Sequence, residues 1–113
     1  DEINLWGSGL PLRQQLYVDD LCDIIPILLT KHNSESPLIV APSENLSILD
    51  MAKTLVNKSE KKVSISFNGK LDGQFRKDGN NSQLFQTIGP YDFTKFEDGV
   101  HKTYKWYLEN LNE

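Results

Sequence analysis

The chain has 113 residues, a length that suits one small domain rather than two. Hydrophobic residues make up 38% of the sequence and charged residues 25%, which is typical of a globular protein and excludes a disordered segment. The net charge of -4 argues against broad, charge-driven binding of nucleic acid, because such binding needs a basic face.

The sequence shows no pattern typical of membrane insertion or export. The longest apolar stretch, residues 24–29, is too short to span a bilayer and contains Pro26. The first residues lack the basic and apolar regions of a secretory signal, and the low cysteine content favours a cytoplasmic protein. Cys22 is the single cysteine and cannot form an internal disulfide. Its neighbours predict a small buried side chain on a helix.

The first predicted element is a loop over residues 5–12, because this stretch contains two glycines and a proline. Trp6 lies at the rim of this loop. Residues 13–18 then predict a short strand, since Leu16 and Val18 alternate with Gln15 and Tyr17.

A helix is expected next, with Asp19 or Asp20 as its capping residue. Pro26 lies inside this helix and removes one backbone hydrogen bond, which predicts a kink. Lys31 and His32 suit the C-terminal end of the helix. The apolar face predicted by the spacing consists of Leu21, Ile24, Ile25, Leu28 and Leu29.

Residues 38–41 predict a strand that is buried on both sides, because they are all apolar. Ser47 and Asp50 resemble a capping box at the start of a second helix, with Asp in place of the usual Glu or Gln. The apolar face of this helix is formed by Ile48, Met51, Ala52, Leu55 and Val56.

The alternation of apolar and polar residues over 63–67 predicts a half-exposed strand, which ends in a turn at residues 68–69. Residues 69–81 follow no period and predict a long loop, a kind of segment that often carries function. Ser82 is expected to cap a short helix that runs through Thr87.

Thr94 and Glu97 predict a capping box for the last helix. We interpret the aromatic side chains of this helix as core and not as a cofactor site, and we place His101 on its outer side. The order of short strands and three to four helices predicts a small α/β domain. The inner face of the last helix is predicted to contain Phe96, Val100, Thr103, Tyr107 and Leu111, widened by Tyr104 and Trp106.

The sequence shows no convincing catalytic set and no metal site. One cysteine and two distant histidines do not supply the several ligands that a metal ion needs. Neither a Gly-x-Gly-x-x-Gly turn after a strand nor a phosphate-binding Walker sequence is present. We therefore predict no catalytic residue in this chain.

The remaining polar groups suit a binding site for an anionic, hydroxyl-rich ligand. Arg13 can hold a phosphate in a bidentate grip, and Trp6 can stack on a flat base or a sugar face. Lys77 and Arg76 add positive charge, and Asp72 can accept hydrogen bonds from hydroxyls. The alternative interpretation is that these are scattered surface charges and a core tryptophan.

Three segments resemble one enzyme family, the GDP-L-fucose synthases. Residues 6–21, Trp-Gly-Ser-Gly-Leu-Pro-Leu-Arg-Gln-Gln-Leu-Tyr-Val-Asp-Asp-Leu, resemble that family's Trp-Gly-x-Gly-x-Pro-x-Arg-x-Phe-x-x-Val-Asp-Asp-Leu stretch. Residues 71–77, Leu-Asp-Gly-Gln-Phe-Arg-Lys, resemble its Asp-Gly-x-x-x-Lys loop, and residues 96–110 are similar to its last helix. Gln15 departs from the pattern where the family has an aromatic residue, and residues 42–44 replace a more glycine-rich turn.

The resemblance implies that residues 1–113 are the C-terminal, substrate-binding domain of an extended short-chain dehydrogenase. That family converts GDP-4-keto-6-deoxy-D-mannose to GDP-L-fucose by epimerisation at C3 and C5 and reduction with NADPH. The NADPH and the catalytic residues would belong to an N-terminal Rossmann domain that this chain lacks. We therefore expect this fragment to be inactive alone, the ligand to be a GDP-sugar, and the full-length enzyme to be a homodimer.

Four residues of this chain match ligand-binding positions of the family. Arg13 matches the arginine at the substrate diphosphate, and Trp6 matches the tryptophan beside the substrate. Lys77 matches the lysine near the GDP-sugar, and Asp72 lies where the family's loop meets the ligand. Two alternatives stay open: a stand-alone, non-catalytic nucleotide-sugar-binding module, and the same domain of another nucleotide-sugar epimerase or reductase.

Overall fold

The computed structural model of the chain describes residues 1–111, which form a small mixed α/β structure of five short strands and four helices. The strands are β1 (Glu2–Leu5), β2 (Leu12–Arg13), β3 (Leu46–Ser47), β4 (Ser64–Phe67) and β5 (Arg76–Lys77). The helices are α1 (Val18–Lys31), α2 (Ile48–Ser59), α3 (Ser82–Ile88) and α4 (Phe96–Glu109).

The strands form two separate small sheets. β1 pairs with β4 in parallel, and β2 lies in the centre of the second sheet, antiparallel to β3 and parallel to β5. β4 was predicted from its alternating side chains, and this prediction is confirmed. β1 was not predicted from the sequence, because it has only four residues and its partner strand lies about 60 residues away. In the structure, the Asn4 side chain of β1 donates a hydrogen bond to the Ser66 hydroxyl of β4.

Two predicted strands are wrong, and side-chain amides explain both. β2 contains Arg13 but ends there, and the Gln14 side chain then bridges two segments: its Nε2 donates to the carbonyl of Pro42 at 2.7 Å, and its Oε1 accepts from the Gly79 N–H at 2.7 Å. The described residues 38–41 form no strand. The carbonyl of Ala41 accepts from the Asn81 side chain at 2.9 Å, so a side chain replaces the expected ladder partner.

The predicted helices are all present, but only one of the predicted caps is confirmed. The Ser47 hydroxyl accepts from the Asp50 N–H at 3.0 Å at the start of α2. α3 begins at Ser82 itself, whose N–H donates to the side chain of Asn80 at 2.9 Å, so Ser82 is not the cap. The prediction that α1 contains Pro26 and ends near Lys31 and His32 is confirmed.

The buried carboxylate of Asp20 explains why the predicted caps of α1 and α4 are both wrong. α1 begins after Tyr17, so Asp19 and Asp20 lie inside its first turn instead of capping it. Asp20 is 5% exposed and accepts hydrogen bonds from the N–H and the hydroxyl of Thr94, at 2.9 and 2.8 Å. Thr94 is therefore bound to α1, and α4 begins after Lys95.

Tyr91 completes the surroundings of this carboxylate. Its hydroxyl donates to Asp20 at 3.3 Å. Burial, together with the nearby charges of Asp20 and Asp23, raises the pKa of Tyr91 to about 12, so its proton stays available for donation. Asp20 thereby ties the start of α1 to the segment that leads into α4.

The core is small. Among residues 1–111 the largest fully buried side chains are Ile24 of α1 and Leu84 of α3. The radius of gyration is 16.8 Å, whereas a compact domain of this length would have about 13 Å. The structure therefore has a more open form than its length alone predicts.

Several side chains predicted as core are exposed. On α1, Ile25 and Leu29 are exposed and so is Cys22, which contradicts the burial expected for all three. On α4 the predicted inner face is also wrong at Trp106 and Tyr107, which are 64% and 54% exposed. Three further side chains expected in the core are exposed: Leu55, Thr103 and Leu111. Helical spacing identifies an apolar face correctly but does not show what covers it.

An apolar groove runs along α4. It has a volume of about 410 Å³ and lies between α4, Leu55 of α2 and residues 15–17, with Trp106 and Tyr107 in its lining. Gly99 is buried against the ring of Tyr17 at its floor. His101 is exposed, as predicted. Within the described residues, no helix combines the length and the apolarity needed to cross a bilayer.

We expect Asp20→Ala to lower the free energy of unfolding by about 2–4 kcal/mol, because it leaves the half-buried donors of Thr94 and Tyr91 without an acceptor. Asp19→Ala removes the neighbouring, exposed carboxylate, and we expect it to cost less than about 1 kcal/mol. Urea denaturation followed by circular dichroism measures both. Equal losses for the two variants would contradict the role given to Asp20.

Candidate ligand-binding site

Two loops lie side by side because the strands on both ends of each loop are paired. The tryptophan loop, residues 6–11, connects β1 to β2, and the aspartate loop, residues 68–75, connects β4 to β5. β1 is parallel to β4 and β2 is parallel to β5. The two loops therefore start together, end together and run in the same direction.

Hydrogen bonds cross between the two loops at their start and in their middle. The Asn68 side chain accepts from the Gly7 N–H at 3.0 Å. The Asp72 carboxylate accepts from Ser8 twice, from the N–H at 2.7 Å and from the hydroxyl at 2.6 Å. These two donors lower the pKa of Asp72, so the carboxylate is ionised at neutral pH.

At Gly7 the tryptophan loop lies close against Asp72 of the aspartate loop. The Gly7 backbone has φ of 73°, and a Cβ built on it would lie only 2.2 Å from Oδ1 of Asp72. A residue with a side chain would therefore be strained in its backbone and would also displace the carboxylate. The sequence Gly7-Ser8 thus supplies both the space and the donors for Asp72.

Arg13 and Lys77 are register partners where β2 meets β5. Neighbouring strands lie about 4.8 Å apart, and partners in register project their side chains on the same side. The guanidinium of Arg13 donates to the carbonyl of Leu12 at 2.6 Å and to the carbonyl of Gln74 at 3.0 Å. These bonds hold Arg13 against the aspartate loop and leave further guanidinium donors for a ligand.

Arg76 differs from its neighbour Lys77. Its guanidinium binds the carboxylate of Asp78 through two hydrogen bonds, at 3.0 and 2.6 Å. The charge of Arg76 is therefore largely balanced by a carboxylate two residues further along the chain, and this hydrogen bond lowers the pKa of Asp78. Arg13 and Lys77 are the better candidates for binding an anion.

Trp6 is 66% exposed, at the rim of the tryptophan loop as predicted. The ammonium nitrogen of Lys70 lies 4.0 Å from the centre of its ring, a cation–π contact between the two loops. Trp6 is therefore not a core residue, and the alternative of a buried tryptophan is wrong. An exposed aromatic ring with a cation over its face suits a ligand with both a flat and an anionic part.

The structure places the four predicted site residues on the two loops and on the paired strands that follow them: Trp6 and Asp72 on the loops, Arg13 on β2 and Lys77 on β5. Their contacts with a ligand stay predictions. Sequence reasoning missed the residues that join the loops: Ser8, Asn68, Lys70 and Gln74. Asn68 was recognisable in part, because an Asn-Gly pair predicts a turn, but its partner Gly7 lies 61 residues away.

The described residues do not fit a dinucleotide cofactor or a metal ion. A dinucleotide needs a glycine turn that opens into a helix N-terminus, whereas the turn at Gly7 and Gly9 leads into strand β2. The space beside Gly7 is also filled by Asp72. Across residues 1–111, no three His, Cys, Asp or Glu side chains come together as metal ligands.

Comparison with known proteins supports the resemblance found in the sequence. No protein-family model matches the chain. A putative GDP-L-fucose synthase 2 of Arabidopsis thaliana is 34% identical to it over 118 residues, covering 98% of this chain and 34% of the relative. The crystal structure of a GDP-L-fucose synthetase from Naegleria fowleri superposes with a TM-score of 0.91 at 30% identity, covering 98% of this chain and 35% of that one.

The chain thus spans about a third of the length of the curated relatives that it matches. A more distant relative, the GDP-mannose 3,5-epimerase of Arabidopsis thaliana, is 24% identical over 113 residues, which cover all of this chain and 30% of the epimerase. The predicted resemblance to GDP-L-fucose synthases and the predicted α/β fold are both confirmed.

We expect Gly7→Ala to destabilise the chain more than Gly69→Ala does. Both glycines have positive φ, 73° and 70°, so both substitutions carry a backbone cost of about 1–2 kcal/mol. Only at Gly7 does the new methyl group meet Asp72, since a Cβ at Gly69 has nothing within 4 Å. Urea denaturation of both variants measures the difference. Equal losses would show that the loops do not approach as closely as described.

Proposed function

We propose that this chain is the GDP-sugar-binding, C-terminal part of a GDP-L-fucose synthase. In this proposal the whole enzyme epimerises GDP-4-keto-6-deoxy-D-mannose at C3 and C5 and reduces it with NADPH to GDP-L-fucose. Residues 1–113 form the substrate-binding domain, and the Rossmann domain that binds NADPH precedes them in a longer polypeptide. We further propose a cytoplasmic homodimer for the full-length enzyme.

One observation carries the proposal. The two motifs that resemble the family, residues 6–21 and 71–77, are separated by 49 residues of sequence, yet Arg13 of the first and Lys77 of the second are register partners on adjacent strands. Two adjacent cations suit the two phosphates of a nucleoside diphosphate better than scattered surface charges do. The geometry therefore agrees with the role that the resemblance implies.

Each proposed site residue has a physical part in binding. Arg13 is held by two backbone carbonyls and presents its remaining donors to the diphosphate. Lys77 adds a compact charge beside it. Trp6 offers an exposed ring face for stacking. Asp72 lies on the aspartate loop, where Ser8 occupies two of its roughly four acceptor positions and leaves the others for hydroxyls.

The reduction belongs to the part of the enzyme that binds NADPH, which supplies a hydride when bound. The described residues hold the sugar nucleotide and orient it, a positioning role that lowers the entropic part of a barrier. No catalytic residue is proposed in this chain. We therefore expect the chain to be inactive alone and to bind a GDP-sugar weakly, because half of the cleft is missing.

The exposed apolar side chains support a longer polypeptide. A monomeric protein seldom exposes a large contiguous apolar patch, and such a patch usually marks an interaction surface. The α4 groove is a surface of this kind, and Ile25 and Leu29 of α1 are further exposed apolar side chains. A preceding domain of about 150 residues or more provides enough surface to cover them.

Two other functions are weighed against this one. The first is a stand-alone module that binds a nucleotide sugar without catalysis. In that case the native polypeptide would be the same size as this chain. The second is the equivalent part of another nucleotide-sugar enzyme, which the similarity to a GDP-mannose 3,5-epimerase favours. Competition between GDP-, UDP- and dTDP-sugars distinguishes the second from a GDP-L-fucose synthase.

We expect Arg13→Ala in the native polypeptide to weaken GDP binding at least about 10-fold, and Lys77→Ala about 3- to 10-fold, because each removes a charged partner of the diphosphate. Isothermal titration calorimetry with GDP measures both. Lys53→Ala, which removes an exposed lysine of α2, is the matched control and should leave the affinity unchanged. Unchanged affinity in Arg13→Ala would remove it from the site.

We expect the native polypeptide to be larger than 12.9 kDa, the mass of this chain. The reason is that a dinucleotide-binding domain adds roughly 150 residues or more. An immunoblot of the source cells with an antibody against α4 measures the size. A band at the mass of this chain would contradict the enzyme proposal and favour the stand-alone module.

A further inference from the structure

We infer that Ser8 and Asp72 are positioning residues, which fix the spacing of the tryptophan and aspartate loops so that Arg13 and Lys77 meet one diphosphate together. This inference rests on the proposed function, and it deepens that function by giving Asp72 a role different from direct ligand contact. Ser8 has no part in the resemblance-based list of site residues.

The position of the Ser8–Asp72 pair within the loops is the first argument. The strand ladders join the loops at their ends, at Leu5 with Phe67 and at Leu12 with Arg76. Between these ends the tryptophan loop has six residues and the aspartate loop has eight. Ser8 and Asp72 both lie near the middle of their loops, where a ladder gives no support.

The hydroxyl of Ser8 is oriented by two hydrogen bonds. It accepts from the N–H of Leu10 at 3.2 Å, and it donates to Oδ2 of Asp72 at 2.6 Å. The N–H of Ser8 donates to the other carboxylate oxygen, Oδ1, at 2.7 Å. Both oxygens of Asp72 are therefore engaged by a single residue of the opposite loop, which is a bidentate arrangement with a fixed geometry.

The charge of Asp72 is the second argument. A free carboxylate next to a diphosphate would repel it, so an acidic residue is a poor direct ligand for that part of the substrate. Here the two donated hydrogen bonds disperse the negative charge and hold it at the loop junction. The carboxylate then serves to align Arg13, which donates to Gln74 only two residues further along the aspartate loop.

The test is a double-mutant cycle in the native full-length polypeptide, with GDP as the probe and its dissociation constant measured by isothermal titration calorimetry. We expect Ser8→Ala to weaken GDP binding about 3- to 5-fold and Asp72→Ala about 10-fold. The double variant should match Asp72→Ala alone, since Asp72 acts through Ser8. Ser8→Thr keeps the hydroxyl and should restore the affinity to within about 2-fold.

Two further variants complete the design. Asp98→Ala is the matched control, because Asp98 is an exposed carboxylate in the first turn of α4 and belongs to neither loop. It should leave the GDP affinity unchanged. Should Asp72→Ala fail to fold, Asp72→Asn replaces it in the cycle, since the amide keeps one acceptor oxygen for the Ser8 N–H.

The outcomes separate this inference from the proposed function. If the unmodified polypeptide does not bind GDP, the proposed function is wrong and the inference falls with it. If it binds GDP but Ser8→Ala and Asp72→Ala bind equally well, the inference alone is overturned. If the two effects multiply in the double variant, Asp72 contacts the ligand directly and the positioning role is overturned. An altered unfolding midpoint with unchanged GDP affinity likewise overturns it.

Discussion

The double parallel pairing of β1 with β4 and of β2 with β5 is the constraint on which the candidate site depends. It brings residues 2–13 against residues 64–77 across more than 60 positions of sequence. The ladders are only four and two residues long, so they contribute few backbone hydrogen bonds. Side chains from both loops supply the remaining links, and a ligand that touches both segments meets a surface formed by neither alone.

The sequence predicted local structure well and long-range structure poorly. Helices α1, α2 and α4 follow from apolar spacing, and the Ser47–Asp50 cap was found because both partners belong to one helical turn. Asp20 and Thr94 were misjudged as caps because they bind one another across 74 positions. The side-chain amides of Gln14 and Asn81 bind backbone carbonyls of residues 41–42, where strand pairing was expected. A periodic pattern of apolar residues does not indicate such side-chain contacts.

In the candidate site, too, some residues were identified from the sequence while their long-range partners were not. The resemblance to GDP-L-fucose synthases identified Trp6, Arg13, Asp72 and Lys77 as matching positions, although no spacing rule links them. It did not identify Ser8 or Lys70, whose partners become apparent only once the two loops are side by side. The predicted core of α4 failed for another reason: amphipathic spacing reports an apolar face, and the structure leaves that face at an open groove.

The placement of the two tryptophans gives the chain a built-in optical reporter. Trp6 lies at the loop junction under the ammonium group of Lys70, and Trp106 lines the α4 groove, so each of the two indole rings lies on a different surface. Both rings are more than half exposed, at 66% and 64%, and therefore emit from a watery environment. A nucleotide bound at the loop junction would shift the emission of Trp6, whereas a protein surface that covers the α4 groove would shift the emission of Trp106. A variant that keeps only one of the two tryptophans therefore reports one of these events alone.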